Sequence, residues 1–169
     1  MFRLFATHQD WTERFLVEPW LLSVIYSYGI ELIHLVHEGH SPQQTGKKGF
    51  SNQFWIVGGK LYFLLDNLEL IAGWDCVTAY VHDSHLHTLI VHIKEKSVVF
   101  ADHDFFSKNG NPSNLKVCKR YTNNKRMIIE TAFSILITIY YFKKAMLRFR
   151  QYLKARLTFT IIAYNGLVQ

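Results

Sequence analysis

Residues 54–80 read FWIVGGKLYFLLDNLELIAGWDCVTAY, and the way this stretch folds decides the class of the whole chain. Its two halves, 54–66 and 68–80, are dense in aromatic, β-branched and leucine residues, a composition that favours strands. Asp66-Asn67 between them predicts a hairpin turn, although the usual glycine is missing.

Upstream, LLSVIYSYGIELIHLV is too β-branched and aromatic for a helix, and its centre reads as a strand. The first twenty residues suggest a helix, with Trp11, Phe15 and Leu16 on one face and the Glu18-Pro19 step ending it. Between these elements and the hairpin, HEGHSPQQTGKKGFSNQ (37–53) has no periodicity and reads as a long loop.

Downstream, Asp83-Ser84 is expected to cap a helix over HLHTLIVHIKEK, whose Leu86, Leu89, Ile90 and Ile93 form one stripe. VVFAD (98–102) reads as a short buried strand, SKNGNPSN (107–114) as a turn cluster, and LKVCKR as another short strand. TNNKR leads into two helices over about 125–146 and 147–168, the first capped by Asn123 or Asn124. These helices are continuous or kinked near Ala145-Met146. The order predicts an α/β fold with a mixed sheet: a helical remnant over 1–20, then one domain over 21–169.

The bulk properties narrow the function. At 169 residues the chain supports one core, and its 49% apolar content argues against disorder. Cys76 and Cys118 have no metal-type spacing, and no signal peptide is visible, so a reduced, cytoplasmic location is expected. The apolar run Ala132–Phe142 is too short to span a membrane, and no membrane partner is expected. Charge is segregated: residues 1–106 hold 7 Lys/Arg against 12 Asp/Glu, whereas 107–169 hold 12 Lys/Arg against the single acid Glu130. Such polarity points to an anionic partner for the C-terminal part, nucleic acid first.

Two acids stand out. Asp102 sits where a buried strand emerges, a favoured site position in α/β folds, and also an ordinary place for a carboxylate to bond turn N–H groups. Glu130 enters an apolar helix, where a charge is costly unless it meets a cation, a metal or water. Arg126, four residues earlier, supplies an intrahelical partner worth a few tenths of a kcal/mol. Lys143, Lys144, Arg148, Arg150, Lys154 and Arg156 form a basic helix suited to backbone phosphates. Lys47 and Lys48 in the Gly-flanked loop, and Lys60 on the first hairpin strand, are further phosphate candidates. His82, His85, His87 and His92 lack a matching Cys or carboxylate set, and Asp83 is better explained as the helix cap than as a metal ligand.

Taken in order, YGIELIH, EGHSPQQTGKKGFSNQFWIVGGKL, WDCVTAYVHDS, VVFAD, NPSNLKVCKR, N-x-RM-x-x-ET, FKK and ARLTF resemble the catalytic part of bacterial insertion-sequence DDE transposases. The likeness spans nearly the whole chain from about Leu21. It implies a ribonuclease-H-like fold in which three carboxylates hold two Mg²⁺ ions for DNA strand cleavage and transfer. By similarity Asp102 is the second carboxylate and Glu130 the third, with Arg126 its family partner and Lys60 a basic position near the site. The implied partner is DNA at transposon ends, the implied setting a DNA-associated bacterial one, and a homodimer is left open.

The first carboxylate is missing. Where the family has an aspartate on the first strand, this chain has Tyr26, a phenol that is neutral at neutral pH and a poor bridging ligand. Glu31 has the wrong strand parity to replace it, and His34 lies eight residues away, about 26 Å along a strand. Asp104 stands where the family has Gly, Asn123 stands where it has an aromatic, and the chain starts just upstream of the first strand. The expectation is a truncated, degenerate transposase with impaired activity. The alternative is a non-catalytic nucleic-acid-binding remnant that uses only the basic helix.

Overall fold

A computed structural model describes residues 16, 21–40, 46–51, 54–93, 97–118, 131, 134, 135, 137, 138, 141 and 150–168. The hairpin that opened the sequence reading is its backbone. Strand β3 (Phe54–Asp66) returns through a tight turn to β4 (Ile71–Thr78). Asp66 replaces the missing turn glycine: its Oδ1 accepts from the N–H groups of Leu68 and Leu70, each at 2.9 Å, while Glu69 takes the left-handed φ of 67°.

β1 (Leu22–Ile33) lies antiparallel to β3 on one side and parallel to β5 (Val98–Ala101) on the other. β6 (Leu115–Val117) then extends the sheet in parallel with β5. The sheet is therefore mixed, in agreement with the α/β expectation. At 13 residues, β3 is long enough to pair two strands in succession on its outer edge. Residues Phe54–Gly58 take β2 (Lys47–Ser51), and Gly59–Leu65 take β4.

Strand β2 corrects the reading of 37–53 as loop throughout. KKGFS has no apolar alternation to announce a strand, and what orders it is the overhang of β3 beside it. Gly49 is required there, since a Cβ would lie 2.3 Å from the Ala79 carbonyl carbon. A bulge at Leu32 places Glu31 opposite Gly58 but Ile33 opposite Val57, so Leu32 and Ile33 are both buried.

Strand alternation sends side chains to two cores. One face gathers Ile30, Leu61, Phe63 and Leu65 under the helix α2 (Arg150–Val168), which contributes Leu153, Leu157, Ile161 and Tyr164. Those four recur at helical-turn spacing, and burying each stabilises the packing by about 1.5–3 kcal/mol. Asn165 fixes the helix to β4: its Oδ1 accepts from Ile71 N–H (2.9 Å) and its Nδ2 donates to the Ile71 carbonyl (3.0 Å). The other face packs Ile25, Tyr62, Leu64 and Val99 against Leu86, Ile90 and Phe105.

The helix α1 (His87–His92) is preceded by a 3₁₀ turn, Asp83–Leu86. Here the cap assignment is corrected. His82, not Asp83, caps the turn, its Nδ1 accepting from Ser84 N–H at 3.3 Å. Asp83 has been drawn inward, where it gains three donors. In the C-terminal part, Thr131, Ser134, Ile135, Ile137 and Thr138 are helical, and Ile135 and Ile137 pack on the α2 side of the sheet. Tyr141 has a φ of 52° and is not helical, a break in the helix expected over 125–146. The helix expected over 1–20 and the kink near Ala145-Met146 lie outside the described residues.

Candidate functional site

The neighbouring residues Tyr26 and Ser27 on β1 face opposite sides of the sheet, and each meets a carboxylate-bearing segment. On the Tyr26 side the parallel register decides what lies near. Val24 pairs with Phe100, the last register pair of the two strands, and β5 ends one residue later at Ala101, so Asp102 follows the strand end while β1 runs on through Tyr26. Val99 and Ala101 belong to the opposite core, so alternation assigns Phe100 to the face of Tyr26. Tyr26 packs there against the α2-side core. Tyr28, two residues on, is held above the ordinary phenol range by burial first and by Tyr26 second.

Asp102 itself is half-buried and closes β5 by capping the 3₁₀ turn His103–Phe105, accepting from the His103 N–H. The turn aims Phe105 inward against Tyr62, edge to face at 6.0 Å, and leaves Asp104 exposed. Among the described residues, no three His, Cys, Asp or Glu side chains gather as a metal site. Tyr26 and Asp102 bring one carboxylate between them. Two divalent ions need a shared bridging carboxylate plus others, and the described residues alone do not fit that pair.

On the Ser27 side a complete polar cluster is buried. Asp83, 3% exposed, accepts from Lys60 Nζ at 2.7 Å and Tyr62 OH at 3.1 Å through Oδ1, and from Ser27 Oγ at 2.6 Å through Oδ2. The Tyr62 hydroxyl is pushed far above its ordinary pKa, by burial first and then by the Asp83 charge. Every partner is supplied by strand alternation: Lys60 and Tyr62 are two apart on β3, and Ser27 is the register partner of Tyr62. Sequence reading took Lys60 for a phosphate contact and Asp83 for a cap. The alternation of Lys60 with Tyr62 inside an otherwise apolar strand was the signal that the two share a buried face.

The remaining candidates scatter. Lys47 and Lys48 are exposed on β2, each with its ammonium over an aromatic ring: Lys47 over Tyr80 at 5.6 Å and Lys48 over Trp55 at 5.5 Å. Arg150 opens α2, Lys154 is exposed on it, and Arg156 is half-buried. Glu130, Arg126, Lys143, Lys144 and Arg148 lie outside the described residues. His82 and His87 serve local structure, the latter through a 2.8 Å contact between its Nε2 and the Phe105 carbonyl. No helix among the described residues is long and apolar enough to cross a membrane. No protein family, curated protein or solved structure gives a match to this chain.

Proposed function

We propose that this chain is a DDE transposase-like domain of the bacterial insertion-sequence type, with a ribonuclease-H-like fold. In this reading it binds DNA, and its strand-cleavage and strand-transfer activity is impaired because Tyr26 occupies the first carboxylate position. The observation that supports it is the parallel pairing of β1 with β5 through Val24 and Phe100, which runs toward Tyr26 on one strand and toward Asp102 just past the end of the other. An active relative with Asp at the Tyr26 position would then draw two carboxylates from adjacent parallel strands, as a shared divalent ion requires. Glu130 lies outside the described residues, and it is the resemblance alone that makes it the third ligand in this reading. Mg²⁺ is the metal this oxygen-rich set would select.

Calorimetric Mg²⁺ titration of the wild type and of Tyr26→Asp tests the reading. The substitution is expected to tighten Mg²⁺ binding at least about tenfold, since a bridging carboxylate replaces a neutral phenol. An unchanged titration would sink the metal-site assignment. Robust Mg²⁺-dependent cleavage of DNA by the wild type, lost in Asp102→Ala, would instead show that Tyr26 does not impair the site.

A further inference from the structure

The β2–β3 hairpin carries an exposed aromatic surface that the metal-site reading does not use. Phe50 is 56% exposed, Phe54 70% and Trp55 58%, an unusual concentration of bare aromatic area on one hairpin. Register orders it. Phe50 pairs with Trp55 and Lys48 with Val57, so Lys48, Phe50 and Trp55 share one face of the hairpin. Phe50 meets Trp55 edge-on at 5.6 Å, and the Lys48 ammonium lies over the indole. Glu38 Oε1 accepts from the Lys48 backbone N–H at 3.1 Å and braces the strand from outside.

We infer that Trp55, Phe50 and Lys48 form a stacking platform for an unpaired nucleotide, which makes this hairpin a single-stranded DNA contact. Charge selects the partner. Lys47 and Lys48 are both exposed on β2, and the acid described beside them, Glu38, has one oxygen engaged by the Lys48 backbone N–H, so the surface has a net positive charge that complements phosphate. An apolar protein surface laid on the same rings would have to strip water from the ammonium without replacing it. A nucleotide offers a π-face to the indole and a phosphate to Lys48, whose flexible stem lets the ammonium move from ring to phosphate. A duplex keeps its bases stacked inside and can engage only the lysines, so the aromatic rings confer preference for single strands.

The inference rests on the nucleic-acid part of the proposed function and not on its metal part, so its test omits divalent cations. Fluorescence anisotropy with a labelled 15-nucleotide oligo-dT and a labelled duplex of equal length, in EDTA, compares wild type with Trp55→Ala, Trp55→Phe and Lys48→Gln. Trp55→Ala is expected to weaken oligo-dT binding about 5- to 150-fold while leaving duplex binding within about twofold, and Trp55→Phe to recover part of the loss. Lys48→Gln is expected to lower the salt dependence of binding by about one phosphate contact. Equal losses for single strand and duplex would overturn the platform yet leave DNA binding standing. Binding of neither probe by the wild type would overturn both. Conversion of a dimer to a monomer by Trp55→Ala would also overturn the platform and assign the surface to a second copy of the chain.

Discussion

Tyr26 and Ser27 are consecutive on β1, yet the two faces they serve treat charge in opposite ways. Below Ser27, Asp83 is almost fully buried and every oxygen has a donor. Toward the other face, Asp102 is half-buried just past the end of β5 and accepts from the first N–H of a turn. A buried carboxylate is retained only where cations or donors surround it, whereas a rim carboxylate costs little and is available to a ligand. The first face therefore serves folding, and the second is the one that the proposed function would use. That contrast can be broken experimentally.

The largest effect is expected at the buried pair. Asp83→Ala leaves Lys60 charged in a site only 14% exposed, and Lys60→Met leaves Asp83 uncompensated. Each is expected to destabilise the chain by about 3–5 kcal/mol in urea unfolding, and the double replacement Lys60→Met with Asp83→Leu to recover most of the loss. Additive losses in the double variant would mean that the two charges do not depend on each other.

Tyr62→Phe removes one donor from the same carboxylate and is expected to cost about 1.5–3 kcal/mol, the range for a hydrogen bond to a charged group. It also sharpens the pH behaviour. Burial and Asp83 raise the Tyr62 pKa, and burial followed by Glu69 and Asp66 pushes Tyr164 up to about 12. The unfolded tyrosines release their protons near pH 10, whereas the folded ones keep them. Stability is thus intact below about pH 10 and falls as the pH rises toward 12, because the folded state then binds more protons than the unfolded. In Tyr62→Phe the fall between pH 10 and 11.5 is expected to be shallower. An identical slope in wild type and variant would remove Tyr62 from this account.

How much of this was readable in advance follows from where the information lies. β1, β3, β4, β5 and β6 were legible from their own residues, but the register that pairs β1 with β5 was not. β2 was invisible because KKGFS draws its order from a neighbouring strand rather than from its own residues. Asp83 was misread because an acid before a helix satisfies the capping pattern, while the competing pull of Lys60, 23 residues away, is a tertiary fact. Phe50 reads as part of a loop and Trp55 as part of a strand, and only the position of β2 at the sheet edge shows the two paired and exposed. Signals within one element were legible; those that depend on which element lies alongside were not.

The smallest effect is expected at Asp102, and its sign carries the most information about the functional face. In the wild type, Asp102→Ala loses only the cap on a 3₁₀ turn, about 0.5–1 kcal/mol. In the Tyr26→Asp background without metal, two carboxylates on adjacent strands repel, so the same Asp102→Ala change relieves repulsion while losing the cap. The two effects are of similar size and the net change is expected to be near zero or stabilising. Saturating Mg²⁺ should reverse this, because bound metal stabilises only the variant that keeps both acids. Thermal melts of the four-member cycle, with and without Mg²⁺, measure the coupling. A coupling energy that is the same in both conditions would show that residues 26 and 102 do not share a ligand, and the register argument for the functional face would fall with it.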